Sequence, residues 1–135
     1  MDMPLEGGCH CGALRYRVSI APSDTGYCHC RICQQTTGSP VAAWALVPVD
    51  GFAMLKGQAV VYASSAWGER HFCGTCGAQI LYRETSNPTG VSINVATLDD
   101  PAALPPRSHI YTDSQIAWLD FGDDLPRHGG APPQT

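Results

Sequence analysis

Cys28-His29-Cys30-Arg31-Ile32-Cys33 places three thiols within six positions. Building a hydrophobic core gives no reason for that density. The other cysteines form two flanking pairs, Cys9-His10-Cys11 and Cys73-Gly74-Thr75-Cys76, so all seven thiols of the chain fall in three clusters. Four thiolates complete a tetrahedral zinc site, whereas three leave one position free. The spacing therefore predicts two zinc ions, one structural and one reactive, stapling a small domain.

Three clusters can be paired in three ways. Joining Cys9 and Cys11 to Cys73 and Cys76 gives a complete four-thiolate site and closes a long loop, which a metal clip stabilises. Cys28, Cys30 and Cys33 then share a second ion whose fourth position falls to water, a substrate or a distant side chain. A competing assignment joins Cys30 and Cys33 to Cys73 and Cys76 as a two-knuckle ribbon, leaving Cys9, Cys11 and Cys28 unexplained. A third fills the open position with His71 or His109 and makes both ions structural. In an extended C-x-C the middle residue points away from its neighbours' metal, so His10 and His29 are expected to be poor ligands.

An odd number of thiols argues against a full disulfide framework, and residues two positions apart meet disulfide geometry poorly. Metal binding in a reducing cytoplasm fits better. The chain has 135 residues, 44% of them apolar and 15% charged, which is the profile of one globular domain. Its formal net charge of −4 and lack of any basic block disfavour nucleic-acid binding. No signal-like N-terminus and no apolar run near the roughly 20 residues of a spanning helix are present, so no membrane role is expected.

The 14 Gly and 11 Pro imply frequent turns and short strands. Leu14, Tyr16, Val18 and Ile20 alternate with Arg15, Arg17 and Ser19, which reads as a strand with one buried face. Further strands are expected at 41–47, 52–55, 59–63, 78–83, 91–95 and 108–111. Residues 31–37 suit a helical turn or two, stopped by Gly38. Arg31 and the local backbone N–H groups are candidates to bond the thiolates. Cys73-Gly74-Thr75-Cys76-Gly77 reads as a zinc knuckle. The fold class is mainly β, a small antiparallel sheet domain over residues 1–121, followed by a flexible tail over 122–135.

Gly8-Cys9-His10-Cys11-Gly12, Cys28-His29-Cys30-Arg31-Ile32-Cys33 with Gly38-Ser39, and Phe72-Cys73-Gly74-Thr75-Cys76-Gly77 together resemble the glutathione-dependent formaldehyde-activating enzyme family. The centromere-protein-V-like proteins share that domain. Leu98-Asp99-Asp100-Pro101, His109-Ile110-Tyr111 and Trp118 also look like the family, and the likeness covers about residues 5–120. It implies a β-sandwich-like β-tent fold, a structural zinc on Cys9, Cys11, Cys73 and Cys76, and a catalytic zinc on Cys28, Cys30 and Cys33. It also implies a carbon–sulfur lyase or synthase that joins a thiol such as glutathione to an aldehyde such as formaldehyde, giving S-hydroxymethylglutathione.

A thiol entering the open zinc position would lose its proton and bind as a thiolate, the form that attacks a carbonyl carbon. His29, His71 and His109 are acid–base candidates by residue type. Arg31 and Arg70 are candidates for a substrate carboxylate. Trp44, Trp67 and Trp118 are candidates to line a pocket. Two other readings stay open: a non-catalytic zinc module that binds a protein partner, and a redox zinc protein of the methionine sulfoxide reductase kind.

Overall fold

The computed structural model of the chain describes residues 2–133. Among the described residues are ten strands and one α-helix: β1 (Leu5–Gly8), β2 (Arg15–Val18), β3 (Asp24–Cys28), α1 (Arg31–Thr37), β4 (Ala42–Pro48), β5 (Phe52–Lys56), β6 (Val60–Ser65), β7 (Gly68–Phe72), β8 (Gln79–Glu84), β9 (Gly90–Asn94) and β10 (His109–Ile110). They form a three-stranded sheet, β1-β2-β5, and a seven-stranded sheet, β10-β3-β4-β9-β8-β7-β6. The mainly β class is as the sequence predicts. Strand pairing is antiparallel except for the short parallel pair β10–β3. No helix among the described residues is long and apolar enough to cross a membrane.

The alternation read in β2 sorts as expected. Tyr16 and Val18 are 0% exposed, while Arg17 faces solvent. They meet Ala45 and Val47 of β4, Ile93 of β9, and Ile80 and Leu81 of β8, with Leu14, Leu98 and Leu104 closing the core. The strand stops at Val18, so Ile20 is exposed instead of continuing the buried face. The Tyr16 hydroxyl lies 2.8 Å from Thr97 Oγ1 and ties the small sheet to the turn after β9. Arg15 grips Asp99 and Arg17 grips Glu6 on the exposed side. Such surface pairs contribute little, typically ~0–1 kcal/mol each.

The two strands expected at 52–55 and 59–63 go to different sheets, β5 joining the small one and β6 forming an edge of the large one. Two strands carry almost no sequence signal. Asp24-Thr25-Gly26-Tyr27-Cys28 looks like a loop by composition, yet it sits between β4 and β10. Gly26 is required there, because a Cβ would come within 2.8 Å of the Trp44 ring and 2.9 Å of the Ser108 carbonyl oxygen. β1 is half glycine and pairs with β2.

The segment from Gly122, expected as a loose tail, is hydrogen-bonded as far as Gly130. The chain returns alongside β10: the His109 N–H donates to the Pro126 carbonyl, the His128 N–H to the His109 carbonyl and the Tyr111 N–H to the Gly130 carbonyl, at 2.8, 2.9 and 2.9 Å. Phe121 packs on the rings of Tyr27, His109 and His29. The backbone needs of a two-residue strand explain the docking, since β10 would otherwise leave one side unpaired. The last two residues of the expected tail lie outside the described residues.

Inside this strap runs a chain of polar groups. Asp123 Oδ2 is 3.0 Å from His109 Nε2, and His109 Nδ1 is 2.9 Å from His29 Nε2. Both imidazoles are 0% exposed. A carboxylate can only accept, so His109 donates from Nε2. With neutral rings, His109 Nδ1 then accepts from His29 Nε2, and His29 Nδ1 is left without a partner. Burial holds the His29 imidazole below its ordinary range, with His109 and Arg127 adding to this.

Two outcomes follow from these contacts. Tyr16→Phe removes one buried hydrogen bond and is expected to lower unfolding stability by ~1 kcal/mol in denaturant titration; no change would show the bond to be energetically idle. Because the fold holds His29 below its ordinary value of 6.5, the unfolded chain binds the proton first, so this contribution to stability is complete above that pH and is lost as pH falls from there toward the folded value. The Tm of the wild type should drop between pH 7.5 and 5.5, and the drop should shrink in His29→Gln. Equal slopes in the two proteins would contradict the assignment.

Candidate metal centres

The first cysteine cluster follows β1 as a turn, not as the extended segment its spacing suggested. The Gly12 N–H donates to the Cys9 carbonyl at 3.2 Å, and Gly12 takes a φ of 82°. His10 faces solvent, so the expectation that it is no ligand holds for a different geometric reason. The second half of the site is the knuckle after β7. There the Gly77 N–H donates to the Cys73 carbonyl at 2.8 Å, Gly77 has a φ of 80°, and the Thr75 and Cys76 N–H groups donate to Cys73 Sγ at 3.4 Å each. The Leu14 N–H donates to Cys9 Sγ at 3.2 Å.

These two turns bring Cys9, Cys11, Cys73 and Cys76 together, with all four sulfurs within 4.8 Å of one another. Cys9 and Cys11 Sγ are 3.6 Å apart, and Cys11 and Cys73 Sγ are 3.7 Å apart. Sulfurs bound tetrahedrally at a Zn–S distance of about 2.3 Å would lie about 3.8 Å apart. A disulfide needs about 2.05 Å, and none of the seven cysteines is so bonded. The donor set and spacing therefore fit a divalent metal ion. The shared protons divide unevenly: Cys76 is lowered to about 6, with the Ala78 N–H the largest cause, while Cys11, although the Ala13 N–H lowers it, is pushed up to about 11 by the neighbouring thiols, Cys9 first.

The triplet gathers separately. Cys28 ends β3, Cys30 caps α1 in an extended conformation (φ −66°, ψ 149°), and Cys33 sits one turn into the helix. The Cys33 N–H donates to Cys30 Sγ at 3.2 Å, and Cys33 Sγ lies 3.4 Å from Cys28 Sγ. All three sulfurs fall within 4.8 Å of one another. α1 ends as predicted, at Gly38 with a φ of 69°. Thiols this close share protons. The Cys28 and Cys33 thiols hold Cys30 far below the ordinary range, helped by the Cys33 N–H and Arg70, and the contact with Cys30 pushes Cys28 up. The two-knuckle alternative, Cys30 and Cys33 with Cys73 and Cys76, is excluded because those pairs belong to different groups.

Among the described residues, no histidine or carboxylate joins the three sulfurs. The alternative in which His71 or His109 fills the open position is not what the structure shows. His71 Nε2 lies 3.1 Å from Glu69, and both ring nitrogens of His109 are engaged with His29 and Asp123. His29 points away from the sulfurs that flank it, as extended backbone requires.

Arg31, the expected thiolate partner, turns back along the helix to Gln34 Oε1 at 2.5 Å. Arg70 takes that place instead, its Nη2 donating to Cys33 Sγ at 3.5 Å. Sequence reasoning missed this because Arg70 lies on β7, far along the chain. The only available signal was its alternation with Glu69 and His71 just before the knuckle. Trp67 and Trp118 are exposed and line neither of the two clefts beside α1, while Trp44 is half-buried. In Leu98-Asp99-Asp100-Pro101, Asp99 pairs with Arg15 and Asp100 caps the following 3-10 turn through the Ala102 N–H, so both do structural work.

Two clefts of about 320 Å³ each adjoin α1. One is lined by Ile32, Gln35, Thr36, Tyr62, Ser64 and Gln79. The other runs from Thr36 and Thr37 past Gln79 and Asn94 to Thr97. Gln79 lines both, bonded through Nε2 to the Thr36 carbonyl, while its buried Oε1 has no partner.

The model of the family described as glutathione-dependent formaldehyde-activating enzyme matches residues 4–114. A Halomonas elongata protein provisionally named for that activity is 32% identical over 128 residues, covering 88% of this chain and 82% of its own length. A Schizosaccharomyces pombe protein, called an uncharacterized lyase, is 29% identical over 89 residues, covering 66% of this chain and 64% of its own. A Rhodobacter sphaeroides protein of known crystal structure superposes with a TM-score of 0.58 at 28% identity, covering 76% of this chain and 92% of that one. With its cysteines gathered into two metal-competent groups and most of its length matched by one family, the chain belongs to the glutathione-dependent formaldehyde-activating enzyme family.

Proposed function

We propose that the protein is a zinc-dependent carbon–sulfur lyase or synthase that joins and separates a small thiol and an aldehyde. Its model reaction is the formation of S-hydroxymethylglutathione from glutathione and formaldehyde. The single observation that carries this is the triplet: Cys28, Cys30 and Cys33 lie at metal-binding separation and, among the described residues, no fourth cysteine, histidine or carboxylate completes the set. Cys9, Cys11, Cys73 and Cys76 would hold a structural zinc. Cys28, Cys30 and Cys33 would hold the second, which supplies Lewis acidity and keeps an incoming thiol in its deprotonated form at neutral pH.

The chain's own residues set the rest. In the forward direction a sulfur–carbon bond forms, the carbonyl π pair moves to oxygen, and the thiol proton ends on that oxygen. The reverse breaks the same bond. Ile32 and Thr36 of α1 line one cleft, and holding both partners at one site makes their encounter effectively unimolecular. Unpaired cysteines throughout accord with a reducing compartment such as the cytoplasm.

The reading as a non-catalytic partner-binding module has one observation in its favour. The edge strand β6 exposes Val60, Val61 and Tyr62.

Substituting one cysteine from each group separates the two roles. Cys30→Ser is expected to lose about one of two bound zinc ions and the formation of the glutathione–formaldehyde adduct, followed by NMR, while keeping the wild-type circular dichroism. Cys73→Ser should lose the other ion and lower the Tm by more than ~10 °C, because it opens a metal clip spanning 62 residues between Cys11 and Cys73. Two zinc ions retained in Cys30→Ser, or undiminished adduct formation, would overturn the proposal.

A further inference from the structure

Arg70 is 6% exposed, and among the described residues it pairs with no carboxylate. A guanidinium is always charged and is expensive to bury without a counter-charge. Its surroundings are otherwise neutral. Nε donates to Ser64 Oγ at 3.3 Å, and Cζ stands 4.7 Å over the Tyr82 ring. The remaining contact, Nη2 to Cys33 Sγ at 3.5 Å, directs the charge at the triplet, and its field reaches Cys30 as well. The four-cysteine group differs in this respect. Among the described residues its sulfurs receive backbone N–H groups and no arginine or lysine.

The difference has an electrostatic consequence. Three thiolates around a divalent ion leave one net negative charge, which repels a further anion. A guanidinium beside them brings the balance to neutral. An anion entering the open position then meets no net like charge, whereas a neutral ligand gains nothing from the arginine. Ser64, which accepts from Arg70 Nε, also lines the cleft beside α1.

We propose that Arg70 is the specificity-determining residue of the triplet. Its buried guanidinium, lacking a carboxylate partner, makes the open position select an anionic ligand, such as a thiolate, over a neutral one. This rests on the reading of the triplet as a metal site with one open position.

The test uses full-length protein loaded with cobalt(II), whose visible absorption reports ligand exchange at the ion. Wild type, Arg70→Met and Arg70→Lys are titrated with 2-mercaptoethanol, with azide as a non-thiol anion and with imidazole as a neutral ligand. Arg70→Met is expected to weaken mercaptoethanol and azide binding on the order of tenfold or more, with imidazole unchanged. Arg70→Lys, which keeps a charge, should recover much of the loss and shows that the fold tolerates substitution there. Unchanged anion binding in Arg70→Met, or an equal weakening of all three ligands, would overturn the proposal. Failure of the underlying function looks different: a wild-type site that takes azide in an Arg70-dependent way but refuses the thiol retires the thiol chemistry and leaves the role of Arg70 standing.

Discussion

Two side chains separated by one residue on an extended backbone share a face, and the residue between them does not. At Cys28-His29-Cys30 this constraint organises half the molecule. The sulfurs of Cys28 and Cys30 point toward Cys33 and Arg70, while the His29 imidazole points into the protein and meets His109. One three-residue stretch therefore links the open side of the triplet to a buried polar chain behind it. That chain ends at Asp123, on the segment that returns along β10. The C-terminal strap and the triplet are thus mechanically continuous.

The two cysteine groups are built by different means and suit different work. Cys9, Cys11, Cys73 and Cys76 come from two tight turns, each closed by a glycine with positive φ and each donating backbone N–H groups to sulfur. The turns are far apart in sequence, so closing them together restrains the whole sheet assembly. Cys28, Cys30 and Cys33 come from one strand end and the first turn of one short helix, which restrains little. Beside them lies a buried cation, Arg70. The clip between distant segments belongs to one group and the buried charge to the other.

Much of this was legible in the sequence, for definite reasons. Cysteine spacing limits what neighbouring thiols can reach, so the clusters narrowed the pairings to three, and the family resemblance pointed to the division seen. The alternation in β2 and the Gly38 stop of α1 are local signals that the fold obeys. What stayed hidden depended on contacts between distant segments. β3 looks like a loop because Asp24 and Gly26 are poor strand formers, and its place follows only from pairing on both edges. The helical arginine, Arg31, was the natural partner for the thiolates by proximity. The helix instead lets it reach Gln34, and a residue 37 positions from Cys33 supplies the charge. The tail looked loose because Pro and Gly dominate it, yet those residues suit a strap that follows an edge strand without forming one.

The central claim is an unequal division of seven sulfurs between two ions, and X-ray absorption at the zinc edge reads it most directly. In the zinc-loaded protein the account expects two ions per chain sharing seven sulfur neighbours, the eighth position holding an oxygen or nitrogen atom that sulfur replaces when a small thiol is added. A single ion per chain, or two ions already surrounded by four sulfurs each before any thiol is present, would contradict it.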